Sequence, residues 1–451
     1  MTHPNSNVSR RRAIQKGGIA IGGSIIGLSS VSTTAVAAPT EIDTCGNLSG
    51  GEYILTDDIT TTGDCFSLGP NTTLDGNDHT ISGDGTGAGI SMGDSTVRVR
   101  NLTVDDFDTG IYLQSSSNYE ADLVVEDTVI SNNTSVAISG NYKPNISVQD
   151  SEIRDNEVGI VGGEAARISI TRSTVSGNSG NAVATGLGNI IEVENSTIEN
   201  NGAGIEAGEG TLTDSTIANN NGYGIKLVGF LADTSIGDTT IVGNDIRNNS
   251  GAGIRFVASN GIVQENTIED NQNGVVIDYD IDAFVGNYAD TYEFVANNFV
   301  NNTEFGIQNT IGDIESIDDE DATVAGAVCN YWGDPSGPQN GSNPNENPQG
   351  DKVSDYVEFT PWSVAEIRDG SGICLGGETI NDFQDQPTDP DGDRLYEDIN
   401  GDGESDIVDV QALFSNSDDE TIQNNPDAFD FNGDGSVNVV DVQKLFNEVL
   451  K

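Results

Sequence analysis

An apolar residue followed three places later by asparagine recurs eight times between residues 130 and 302. The pairs are Ile130/Asn133, Ile153/Asn156, Val175/Asn178, Ile198/Asn201, Ile217/Asn220, Ile246/Asn249, Ile268/Asn271 and Phe299/Asn302. Successive pairs are 23, 22, 23, 19, 29, 22 and 31 residues apart, with weaker forms earlier at Ile81/Asp84 and Leu102/Asp105. Seven or eight places after each apolar residue comes an aliphatic one, often behind glycine, as at Gly159-Ile160, Gly204-Ile205, Gly224-Ile225 and Gly253-Ile254. A period of this length marks one supersecondary unit per repeat, stacked on the next.

Inside each unit the apolar residues alternate, as in "RISITRSTV" and "GIKL", which is the period of strands. Glycine and asparagine interrupt every potential helical turn. Three short strands and their turns fill one unit. The expectation is a coil of parallel strands with neighbouring turns ~4.8 Å apart and one continuous aliphatic core. Asparagines at a constant place should form a ladder at one corner, tolerating left-handed backbone and bonding to one another.

On these residues the stretch 39–375 resembles a right-handed parallel β-helix of the pectate-lyase-like class, in the branch of NosD-type repeat proteins. "NTTLDGNDHTISG" (71–83) is similar to the opening coil of that class, and "NYWGDPSGP" (330–338) with "FTPWSV" (359–364) to its closing segment. The resemblance implies a pectin-lyase-type solenoid. Gly-His-Gly and Arg-x-Lys, which the family's polygalacturonases use, are both missing from the sequence.

The chain carries 73 acids against 18 bases, a formal net charge of −55. A polyanion repels nucleic acid and anionic membranes, so neither is expected as a partner. Calcium loops absorb only some of the acids, whereas concentrated salt screens their repulsion to within a few ångströms. Residues 1–38 hold Arg10, Arg11, Arg12 and Lys16 ahead of a short apolar run and "AVAA". They read as a twin-arginine export signal and not as a membrane span. Their removal leaves 14 bases and 73 acids, a charge of −59. Signal and charge together resemble secreted haloarchaeal proteins. Four cysteines suit an oxidising exterior, and three pairings exist. Cys45–Cys65 and Cys329–Cys374 are expected, because each pair brackets one end of the repeats. Asn-x-Ser/Thr sites at Asn71, Asn101, Asn195 and Asn248 permit glycosylation on exposed turns.

Residues 376–388 read as a linker, and 389–451 as a separate calcium-binding domain. "DINGDGESDIVD" places oxygen donors Asp398, Asn400, Asp402, Glu404, Asp406 and Asp409 at positions one, three, five, seven, nine and twelve, with Gly403 at six. Calcium asks for that pattern, because six or seven hard oxygens must converge around a sharp mid-loop turn. "DFNGDGSVNVVD" repeats it with Asp430, Asn432, Asp434, Ser436, Asn438 and Asp441, and "VDVQALF" and "VDVQKLF" follow the two loops. This duplicated loop-helix resembles a type I dockerin, which implies calcium and a cohesin-like partner. At loop positions ten and eleven, where dockerins often carry Ser-Thr, this chain has Ile407-Val408 and Val439-Val440. Asp389, Asp391 and Asp393 offer a further calcium position, although its sixth place is Arg394.

If Ile205, Ile225, Ile254 and Val275 point inward, Glu206, Lys226 and Arg255 fall in one outward column, with Val276 and Asp278 next and Tyr112 further along. A uronate lyase could use Lys226 or Arg255 as base with Glu206 and Asp278 holding calcium. A cross-coil charge ladder is the plainer reading. "DDFD" (Asp105, Asp106, Asp108) reads as a solvated turn. The expected protein is extracellular, binds calcium, engages polysaccharide or a cell-surface glycan and docks through its tail. The alternatives are a polysaccharide lyase or O-glycosyl hydrolase in a dockerin-assembled complex, and a purely structural acidic rod.

Overall fold

The computed structural model describes residues 38–450, apart from 115–120, 187, 230–238, 258, 279–291, 311–323, 346, 369–371, 382 and 384. The twin-arginine stretch lies outside the described residues.

Each repeat makes three short parallel strands, as in Pro144–Gln149, Glu152–Arg154 and Val158–Glu164. The next repeat lays Arg167–Thr171, Thr174–Ser176 and Asn181–Thr185 against them, pairing Ile146 with Ile168, Ile153 with Val175 and Ile160 with Val183. Among the described residues, the third strand of every coil belongs to a twelve-stranded sheet, and the other two contribute to a sheet of 23 strands. The mostly β, right-handed parallel β-helix is therefore the architecture, built on the expected period. Ile205, Ile225, Ile254 and Val275 all point into one fully buried core. Glycine before these residues answers to close stacking: a Cβ on Gly204 would sit 2.0 Å from the carbonyl oxygen of Gly224 on the next coil.

The asparagine ladder is continuous. Asn133, Asn156, Asn178, Asn201, Asn220, Asn249 and Asn271 each donate a side-chain amide hydrogen to the Oδ1 of the next rung, at 2.8–3.2 Å, ending at Asn302. Each backbone N–H bonds to the same acceptor, so one oxygen serves two donors of the preceding coil. The left-handed backbone expected at the rungs belongs instead to the residue before each one. Asn132, Asp155, Gly177, Asn200, Asn219, Asn248, Asp270 and Asn301 have φ between 53° and 66°. That residue turns the corner, and the rung then points inward. The unit expected at Leu102/Asp105 is also shifted: Val104, not Leu102, pairs with Ile130, and Phe107 fills the rung by donating its N–H to Asn133.

A second ladder runs five residues ahead of the first. Thr128, Ser151, Ser173, Ser196 and Ser215 lead into Asn244, Asn266, Asn297 and Asn330. Sequence reading missed it, because hydroxyls give way to amides halfway and no single residue type recurs.

At the C-terminal end Trp332 is fully buried and stacks on Phe299 at 4.8 Å, and Trp362 is buried beside it with its indole N–H on the carbonyl of Pro335. These are the tryptophans of the two stretches expected to close the coil stack. Both expected disulfides form. Cys45 and Cys65 precede the adjacent strands Gly46–Leu48 and Phe66–Leu68 at the other end of the stack.

The tail carries helices α1 (Ile407–Ser415), α2 (Glu420–Asn424), α3 (Pro426–Phe429) and α4 (Val439–Val449) around a second core. Ile380, within the stretch expected as a linker, is fully buried in that core with Ile373 and Leu375. Cys374 donates its N–H to Asn425 of the tail, so the second disulfide joins the last coils to the helical region. No helix among the described residues is long and apolar enough to cross a membrane.

Candidate functional site

The twelve-stranded sheet sets its outward residues in register: Tyr112 pairs with Ser139, then Val161, Ala184, Glu206, Lys226, Arg255 and Val276 follow. The expected column therefore exists. Its chemistry is more local than expected. Lys226 Nζ lies 3.1 Å from Glu206 Oε1, and Arg255 pairs with Asp278, which stands one outward position along beside Val257. Each carboxylate faces a cation of its own, which is the charge-ladder arrangement. Tyr112 is four rungs from Glu206, and at ~4.8 Å per rung it shares no groove with Lys226.

Tyr223 supplies the aromatic ring of this patch. Its hydroxyl donates to Glu206 Oε2 at 2.6 Å and accepts from Asn181 Nδ2 at 3.0 Å, with Lys226 5.7 Å from the ring centre. Burial and the Glu206 carboxylate push the Tyr223 phenol well above its ordinary range. Burial would raise Glu206, but the bonds from Tyr223 and Lys226 outweigh it and hold that carboxyl low. Beside the patch, Tyr223, Arg255, Gln272, Asn273 and Val276 line a groove of about 260 Å³. The sequence signal for Tyr223 is an aromatic residue directly before Gly224-Ile225, a place that Phe305 also fills before Gly306-Ile307. "DDFD" behaves as a turn: Asp106 and Asp108 are exposed, and Asp105 accepts from Ser131 and Asn132.

Both tail loops have calcium-loop geometry. Gly403 and Gly435 take φ of 85° and 84°, which a side chain would strain. Asp398 accepts the N–H groups of Asp402 and Gly403, and Asp430 those of Gly433, Asp434 and Gly435. Position twelve closes each loop: Asp409 accepts from Asn400 and Asp406, and Asp441 from Asn432 and Asn438. Asp398, Asp409 and Asp441 are fully buried. Burial, with the Asp398 charge nearby, pushes Asp409 up; burial and the Asp430 charge do the same to Asp441. Buried carboxylates crowded in this way fit a divalent cation with oxygen preference. Asp406 and Asn438 also cap α1 and α4, accepting the N–H of Val408 and Val440. Glu404 and Ser436, at position seven, are exposed, as fits a loop whose seventh position ligates through its main-chain carbonyl. Asp402 and Asp434 stand at position five, each accepting the N–H two residues on.

The apolar pairs after the loops are on the surface. Ile407, Val408 and Phe414 on α1 are 53%, 48% and 63% exposed, and their counterparts Val439, Val440 and Phe446 on α4 are 64%, 45% and 41% exposed. Three such side chains on each of two equivalent helices leave a surface that water solvates poorly.

The family model described as the right-handed beta helix region matches residues 88–237, and that of the dockerin type I domain matches residues 396–450. No curated protein sequence matches the chain. Among solved structures, the A-module of the mannuronan C-5 epimerase AlgE6 from Azotobacter vinelandii is similar, with a TM-score of 0.49 and 15% identity over 69% of this chain and 91% of that one. The protein thus joins a right-handed parallel β-helix to a C-terminal helical region that matches a dockerin type I domain, a match that supports calcium as its ion.

Proposed function

We propose that this is an extracellular β-helix protein whose calcium-ordered tail docks to a cohesin-type partner while the β-helix face engages an acidic polysaccharide. The duplicated exposed surface of Ile407, Val408 and Phe414 with Val439, Val440 and Phe446 carries the docking half of the reading. Calcium at Asp398, Asn400, Asp402, Asp409 and at Asp430, Asn432, Asp434, Asp441 would hold α1 and α4 in position. An apolar contact surface also explains why a chain this charged keeps large aliphatic and aromatic side chains in water. Two disulfides accord with an oxidising exterior, and the stretch 1–38 would export the chain by the twin-arginine route.

The patch of Tyr223, Glu206, Lys226, Arg255 and Asp278 is the sugar-facing part of the proposal. Tyr223 offers a ring edge, and Lys226 and Arg255 are two cations on a surface otherwise rich in acids. Both already have carboxylate partners, which favours binding over a base-catalysed elimination. The test is titration of the secreted protein, in molar salt with calcium, against uronic-acid polymers and a panel of cohesin modules. Phe414→Ser with Phe446→Ser should abolish cohesin binding and leave sugar binding intact; Lys226→Ala with Arg255→Ala should do the opposite. A double helix variant that still binds its cohesin overturns the docking surface. Binding to neither class by the parent protein favours a structural rod, and cleaved polymer in the mixture favours the lyase or hydrolase.

A further inference from the structure

Among the described residues, Glu397 is a buried acid with no ion-pair partner and no hydrogen bond at one oxygen. The residue is 8% exposed, and its Oε2 has no partner. In sequence it stands directly before Asp398, the first residue of the first loop. It comes within 4.8 Å of carboxylate oxygens from both Asp389 and Asp391. Three acids gathered in this way repel one another, and the buried one loses water without gaining a donor. A divalent cation reverses both penalties. Glu397 also faces an open cavity of about 490 Å³, lined by Pro390, Asp391, Asp393, Ser405, Glu448 and Val449, with room for an ion and its waters.

The segment has the shape of a third loop. Asp389 accepts the N–H of Gly392 and Arg394, three and five residues on, as Asp430 does from Gly433 and Gly435. Arg394 holds φ at 79°, the conformation that Gly403 and Gly435 adopt at the same position. Arginine at the sixth place therefore does not prevent the turn. Asp393 accepts from Leu395 as Asp402 does from Glu404, yet its carboxylate stands outside the three-acid group.

We propose that Asp389, Asp391 and Glu397 bind a third divalent cation, calcium by donor type, in addition to the two in the loops. Glu397 stands nine places into its loop. It supplies the inner ligand that the first two acids lack, and the ion ties the segment before the first loop to the C-terminal end of α4. The proposal rests on the calcium reading of the tail for the choice of ion, but on Glu397 for the site.

Calcium bound per full-length chain, measured by elemental analysis after dialysis in molar KCl with buffered micromolar calcium, tests it. The parent should hold three ions and Glu397→Gln two. Asp391→Asn alters an exposed side chain and tests the same site without touching the core; it too should hold two. Asp409→Asn removes a ligand of the first loop and should independently lower the count by one. Equal counts in the parent, Glu397→Gln and Asp391→Asn overturn the third site, and a lower count in Asp409→Asn would then leave the two-loop reading standing. If Asp409→Asn also matches the parent, the two-loop reading falls with it.

Discussion

Asp351 Oδ2 accepts two hydrogens from Asn302, the main-chain N–H at 3.0 Å and a side-chain amide hydrogen at 2.7 Å. Along the ladder, from Asn133 to Asn271, that acceptor is the amide oxygen of another asparagine. The column of asparagines thus ends on a carboxylate, which burial pushes up to about 6 against the pull of the Asn302 bonds.

Asp351→Asn should therefore stabilise the protein at neutral pH. The folded carboxyl holds its proton more tightly than the unfolded one, whose pKa is ~3.9. Its contribution is complete below pH ~4 and is lost as pH rises through about 6. An amide oxygen can receive both Asn302 hydrogens with no charge to desolvate. Urea midpoints across pH 4 to 7 should show the variant gaining on the parent with rising pH, by on the order of 1–3 kcal/mol at neutrality. A variant less stable than the parent at pH 7 contradicts the assignment.

Neighbouring asparagines should respond very differently to substitution. Asn201 is a rung: its amide donates to Asn220 and to the carbonyls of Val175 and Glu199, and its oxygen serves Asn178. Asn201→Ala strands several buried groups and should cost roughly 2–5 kcal/mol. Asn200, at φ 57°, only turns the corner, and Asn200→Gly should change stability by less than ~1 kcal/mol. Equal losses in the two denaturation curves would mean that the rung carries no special burden.

Tyr223→Phe should raise the pKa of Glu206. The tyrosine hydroxyl bond at 2.6 Å is a main reason why that carboxyl stays low despite burial. A depressed folded pKa contributes stability above the unfolded value of ~4.3 and loses it as pH falls through the folded one. The parent's stability advantage over Tyr223→Phe should consequently be present at neutral pH and shrink as pH falls through the folded value. Carboxyl carbon shifts of Glu206 followed against pH report the change directly, and an unmoved titration would remove Tyr223 from the patch.

Calcium chelation should loosen the tail and spare the β-helix. Without an ion, Asp398 and Asp409, and likewise Asp430 and Asp441, confront each other, with Asp398, Asp409 and Asp441 buried. Hydrogen exchange with chelator should accelerate over 398–415 and 430–449, while the ladder between Asn133 and Asn302 keeps its protection. Protection unchanged in both regions would separate the tail's folding from calcium.

The apolar-x-x-Asn period determined the coil, its inward face and the outward column of Glu206, Lys226 and Arg255, because each depends on spacing within one repeat. The paired loops were equally legible, since a calcium ligand set is local and Gly403 and Gly435 mark its turn. Other features depended on which atoms of different coils and segments converge, and one-dimensional spacing does not record that. Tertiary structure alone decided that Ser151 and Asn244 share one ladder, that Tyr223 reaches Glu206, and that Ile380 enters the tail core. It also brought Glu397 to Asp389 and turned Arg394 left-handed, where the sequence suggested only an incomplete loop. The coil stack repeats local rules and can be read from one turn. The sites form where side chains from separate segments meet, and only packing sets those distances.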